Sequence, residues 1–414
     1  MASTNQQILL INLKRYLNFS KTYEETVKLI KNDGIVNNRS VDLNHEDIYE
    51  RLKKYEFNKT EPETLRELVK SALKKGDIVK TRMRKFKRLI DNVKTSFERE
   101  NLIHEVYISN DEISEYNSGC AIGIDGSFQC VGGVAGIWYV PTSCAIIIFE
   151  EGIKSQPVAY VTAGIEDINE NEHHNVQGEA SIRMLDVETR AINECASKLD
   201  RNKRNVIFID GPIADPPFFS ESKYVKRRCD AILRCIEKNA LVIGCVKRPF
   251  GKPYISYVNN NILKDETERE RLNQFISDVH LVNYIFTKSY FEGKKGVLMT
   301  TPAEISNEDE VHQSYLKNGV RIFSVFMQKD PVSRPIRLDI PQKIDFSESK
   351  PLVEEAVKTV IAWSYPGYNV PLPVILAHNK CTIRKGCADV LYEEIITRAA
   401  SPDPFDSIIK IKMG

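Results

Sequence analysis

Two aspartates close short apolar runs: Asp125 in "CAIGIDGSFQC" (120–130) and Asp210 in "NVIFIDGP" (205–212). A carboxylate at the tip of an apolar segment loses hydration and needs a partner. Each is followed by a glycine, Gly126 or Gly211, which leaves room for a backbone or a phosphate to approach. A third acid lies between them in "GEASIRMLDVETRAINECASKL" (178–199). Its apolar stripe runs Leu185, Ile192, Cys195, Leu199, and the helical step from Leu185 to Ile192 passes through Glu188. A glutamate on a buried stripe must be met by a cation or by an Arg or Lys. Asp186 and Arg190 fall off that stripe and can be solvated. Three carboxylates converging on one edge cannot all stay ionised without a cation. Oxygen ligands select Mg²⁺ or Mn²⁺ over zinc. Two such ions about 4 Å apart can activate a water and stabilise the leaving oxygen of a phosphodiester. The expected chemistry is therefore metal-assisted phosphodiester hydrolysis.

The elements that must bring these acids together follow from the hydropathy pattern. "CAIGIDGSF", "VAGIWYVPTSCAIIIFE" and "PVAYVTAGI" are rich in β-branched and aromatic residues with turns between them, which predicts an antiparallel meander. A helix over 178–199, the strand "NVIFID", a helix "KYVKRRCDAILRCIEKN" and the strand "ALVIGCVKRPF" come next. Helices alternating with strands require parallel pairing, so the sheet is mixed. First and fourth strands lying side by side would carry Asp125 and Asp210 to one carboxyl edge, where open α/β sheets place their chemistry. Lys247 and Arg248 end the fifth strand on that same edge and could offset charge on a phosphate. An Asp on strand one, an acid on the following helix and an Asp on strand four form the RNase H-like arrangement. Further on, "DETERERLNQFISDVHLVNYIF" reads as a helix, "RIFSVFMQ" and "PIRLDIP" as a strand pair, and "KPLVEEAVKTVIAWSY" and "PLPVILAHNKC" as closing helices. The fold class is α/β: an RNase H-like mixed sheet flanked by helices, with an N-terminal helical extension over 1–110 and the nuclease-like domain over 111–414.

Bulk properties exclude several classes. The 414 residues carry a net charge of +1, so any polyanion site must be a local basic patch. Such a run spans Lys80 to Arg88, where a solvated helix face competes with a phosphate-contacting arm. No segment is long and apolar enough for a bilayer span, and the N-terminus lacks signal-peptide order. Nine cysteines without a CxxC pair suit reduced thiols and a cytoplasmic protein.

In order and spacing, "IGIDGSF", "FIDGP", "VIGCVKR" and "LPVILAH" resemble the NurA nucleases, and "ISDVHLV" and "PIRLDIP" add to the likeness over about 118–390. The resemblance implies an RNase H-like, Mn²⁺-dependent nuclease (Mg²⁺ as the alternative, two ions expected) cutting single- and double-stranded DNA with 5′-to-3′ polarity. It also implies a homodimer that docks on HerA, a hexameric DNA-translocating ATPase. By resemblance Asp125, Asp210 and His378 are metal ligands, with Glu188 as the helix acid and Glu179 as its rival. Catalysis would rest on these four and Lys247. Tyr368 resembles the aromatic that precedes the histidine helix, and Asp339 stands where the family carries a longer acid. Two alternatives stay open: an actin-like or sugar-kinase-like ATPase, and a non-catalytic assembly subunit. His173 and His174 read as loop residues, and "GGVAG" (132–136) as a tight hairpin or bulge.

Overall fold

The computed structural model describes residues 62–133, 136–170, 175–214, 222–307, 309–365 and 368–399. The chain divides into two compact units, Met1–Leu89 and Ile90–Gly414. Helix α1 (Pro62–Arg99) leads through β1 (Ile103–Val106) and α2 (Asn110–Tyr116) to the strands β2 (Cys120–Phe128), β3 (Val131–Gly132), β4 (Ile137–Phe149) and β5 (Val158–Asn169). Then α3 (Val176–Lys198), β6 (Asn205–Asp210), α4 (Ser222–Glu237) and β7 (Ala240–Val246) alternate. Three helices follow, α5 (Pro253–Asn261), α6 (Glu266–Asn273) and α7 (Asp278–Phe291). The rest is β8 (Val297–Thr300), β9 (Ala303–Glu304), α8 (Glu310–Lys317), β10 (Val320–Gln328), β11 (Ile336–Lys343), α9 (Ser349–Trp363), α10 (Leu372–Cys381) and α11 (Lys385–Ala399).

All the described strands join one mixed sheet. Its heart runs β5-β4-β2-β6-β7, with β2, β6 and β7 parallel and β4 and β5 antiparallel, which is the RNase H-like order. Beyond β7 the sheet continues antiparallel through β11 and β10 to β8 and β1. Alternate strand residues point to opposite faces. Ala121, Ala145, Val206, Phe208 and Cys245 supply one face of a large core, closed by Val357, Trp363, Val374 and Ala377 of α9 and α10. The fully buried Trp363 meets Phe149 edge-on at 5.5 Å. Helix α3 packs against β2 and β4, and α4 packs on α3 and β7. Each fully buried large apolar side chain contributes roughly 1.5–3 kcal/mol. Asp210 ends β6, but β2 runs on past Asp125 to Phe128, still paired with β4, so the aspartate expected at the tip of the first strand lies inside it, where only the parallel pairing with β6 has ended.

Two expectations are revised. The helix expected over 265–286 is broken into α6 and α7, because Ser277 caps the His280 N–H and starts a new helix. Residues 103–106, read as part of the helical N-terminal region, form a strand paired with β8. Residues 1–61, His173, His174 and the tip of the "GGVAG" hairpin at 134–135 lie outside the described residues. Within α1, Lys80, Arg82, Arg84 and Lys85 are exposed, as a solvated face requires.

Candidate functional site

Parallel pairing of β2 with β6 matches Ile124 to Ile209, so Asp125 and Asp210 follow as neighbours at the carboxyl edge. Strand β7 pairs Asp210 with Cys245, and Lys247 lies two residues further on. Its Nζ donates to Asp210 Oδ2 at 2.5 Å. The third arm comes from α10. A methyl group at Gly123 would sit 2.3 Å from the Pro373 carbonyl, so only glycine lets the start of α10 lie directly on β2. Five residues later, about 7.5 Å along the axis, His378 reaches over the edge. Its Nδ1 is 2.7 Å from Asp125 Oδ2 and 3.4 Å from Asp210 Oδ2. Cys381, one turn on, donates its thiol to Asp125 Oδ2 at 3.2 Å.

One ligand atom each from Asp125, Asp210 and His378 falls within 4.8 Å of the others. Two carboxylates and an imidazole make a donor set of oxygens and one nitrogen that could hold a divalent metal ion. The protonation chemistry agrees. Burial, and then the neighbouring Asp210 charge, push Asp125 up to about 6, against hydrogen bonds from Cys381 and His378 that favour its ionised form. A cation would relieve that strain and must displace the proton. Affinity for Mn²⁺ is therefore expected to rise at least about tenfold per pH unit below about pH 6, where the Asp125 proton must leave and the His378 ring must be neutral, and to flatten at higher pH. Calorimetric titration from pH 5 to 8 checks this; a flat profile would mean that Asp125 is no ligand.

Glu188 is buried but is not brought into this cluster. Gly123 and Asp125 point toward α10, whereas a Cβ on Gly126 would meet Met184 and Glu188 of α3. Glu188 thus lies across the sheet, where Oε1 accepts the Gly126 N–H at 2.9 Å and Oε2 lies 3.4 Å from Arg228 Nη1. Of the two partners open to it in sequence, the structure supplies the arginine. Its rival Glu179 pairs with Arg183 at 3.1 Å in the first turn of α3. Asp339 is wholly buried with Arg337 and accepts hydrogen bonds from Ser324 Oγ and the Ile213 N–H, steadying the loop that leaves Asp210. Arg248 and Tyr368 are exposed.

Arg228 and Cys381 escaped the sequence reading. Arg228 could have been found, because it stands four residues from Tyr224 and from Ile232 on the apolar stripe of α4. For Cys381, three residues past His378, only the spacing hinted at a shared helix face.

Comparison with known proteins bears on the same region. The NurA domain model matches residues 121–383. The crystal structure of the NurA nuclease from Sulfolobus solfataricus is similar with a TM-score of 0.51 and 14% identity, over 82% of this chain and 97% of that one. Weaker similarity extends to Ciona intestinalis endonuclease V, solved with a 23mer DNA (TM-score 0.34, 14% identity, 68% of this chain and 100% of that one). The catalytic domain of human endonuclease V gives a TM-score of 0.32 at 11% identity, over 73% of this chain and 94% of that one. No curated protein matches. No helix among the described residues is long and apolar enough to cross a membrane.

Proposed function

Because the chain belongs to the NurA nuclease family, we propose that it is a cytoplasmic, Mn²⁺- or Mg²⁺-dependent deoxyribonuclease acting on linear DNA from the 5′ end. The observation that carries this reading is the convergence of Asp125 of β2, Asp210 at the end of β6 and His378 of α10 at one edge of the parallel pairing. These three would hold the cation. Among the described residues these three could hold one cation, and the second of the two expected ions would draw on DNA oxygens. When bound, such an ion makes a water more acidic and offsets charge on the phosphodiester.

The chain's own groups divide the remaining work. Asp125 and Asp210 set the negative field that draws a cation to the edge. Lys247 balances Asp210 and presents a positive charge toward an incoming phosphate, where it would steady the negative charge that builds during hydrolysis. His378 is half exposed at the mouth of the cluster, so one face of the imidazole stays open to substrate. Glu188 acts one step back, holding the Gly126 peptide and so the backbone beside Asp125. Pairing as a homodimer and docking on a HerA-type hexameric ATPase follow from the family and belong to the same proposal.

The test is a gel of end-labelled linear single- and double-stranded DNA with Mn²⁺, run with and without a HerA-type ATPase. Cleavage that starts at the 5′ end and stops with EDTA is expected. Intact DNA in every lane, partner included, would leave the fold as an assembly platform.

A further inference from the structure

The segment "KRPFGK", Lys247–Lys252, starts at the metal cluster and is anchored at both ends. At one end Lys247 holds Asp210. At the other, the Gly251 carbonyl accepts the Asp278 N–H at 3.1 Å, and Lys252 Nζ donates to the Asn273 carbonyl at 3.0 Å. The buried Asp278 carboxylate then takes the N–H groups of Tyr254 and Ile255 at 2.8 and 2.9 Å, fixing the start of α5. Between these anchors Arg248 and Phe250 point into solvent, with Phe250 63% exposed. Its Cα can be no more than roughly 11 Å from that of Lys247, by the reach of three residues. A phenylalanine held out in water by a braced loop, between cations and beside a phosphate-cleaving centre, has the composition of a single-strand binding lip.

We propose that Phe250 stacks on an unpaired base of the DNA strand entering the site, with Arg248 on an adjacent phosphate. The proposal rests on the nuclease reading and adds a base contact to it. Bases of any identity offer a π-face, so the contact would hold the strand without reading its sequence.

Binding measured in EDTA separates this contact from hydrolysis. The full-length chain is titrated into fluorescein-labelled oligothymidylate and into a strand of the same length made of abasic residues, at one fixed salt concentration. Phe250→Ala is expected to weaken oligothymidylate binding roughly 5- to 100-fold. Phe250→Trp should restore it, and the abasic strand should bind both forms equally. Unchanged oligothymidylate affinity in Phe250→Ala, or an equal loss on both strands, overturns the inference. Unchanged affinity with a shift in sedimenting mass would assign Phe250 to a protein contact instead. Cleavage in Mn²⁺ is scored separately: base-dependent binding without cleavage sinks the nuclease reading alone, and cleavage without that dependence sinks this inference alone.

Discussion

Replacing Asp125 or Asp210 with asparagine should lower Mn²⁺-supported DNA cleavage by on the order of 10³-fold or more, equivalent to at least about 4 kcal/mol of barrier. The fold should survive, and for Asp125 it should gain. Burial and the neighbouring Asp210 charge raise the Asp125 carboxyl to about 6, so at neutral pH the folded chain carries an ionised group that it holds less easily than the unfolded chain does. The sign follows from proton linkage: a raised folded pKa means that stability falls as pH climbs from the unfolded value toward about 6, and the loss persists above it. Asparagine has no such charge and can still accept the His378 N–H. Metal-free Asp125→Asn is thus expected to unfold at equal or higher urea than the wild type at pH 7, while losing both cation binding and cleavage. Urea melts in EDTA beside a Mn²⁺ cleavage assay check the pair of outcomes. A folded variant that cuts normally would move the chemistry elsewhere, and one that unfolds would overturn the stability half of the expectation.

Arg228→Met should produce the largest loss of stability, about 3–5 kcal/mol, because it leaves a buried glutamate facing a methionine. Arg228 is fully buried, and Glu188 is 3% exposed. In water such a pair would matter little; in this interior the asymmetry between removing one partner and removing both is large. The double variant Arg228→Met with Glu188→Gln should therefore recover more than half of the loss, since glutamine can still accept the Gly126 N–H. Equilibrium urea unfolding of the two single variants and the double variant gives the coupling directly. Additive losses would show that the two side chains do not act as a unit.

The parts of the site visible in sequence were those written into single strands. Asp125 and Asp210 each follow a β-branched apolar run that reads as a buried strand, and the strand-helix alternation between them lets those strands share an edge. What the sequence could not disclose was parity. Whether α3 covers the face of Asp125 or that of Gly126 decides which groups the Glu188 carboxylate meets, and both choices satisfy the same helical stripe. The break between α6 and α7 was hidden for a related reason: Ser277 and Asp278 sit inside a continuous helical period, and although the Ser277 cap on His280 is local, the Asp278 carboxylate finds its partners, the Tyr254 and Ile255 N–H groups, only once α5 is in place. Strand β1 is four residues long, too short for its alternation to stand out beside the long helix before it.

The seat of α10 on Gly123 also says something about how this centre can drift over evolutionary time. The imidazole is aimed by the lack of a side chain on another element, so the most unforgiving position for the histidine lies outside the histidine's own segment. Neighbours on the outer surface of that helix, such as Asn379 and Lys380, are exposed and face no such steric limit. A survey of mutational tolerance would find a strict veto at a residue that touches neither proton nor phosphate.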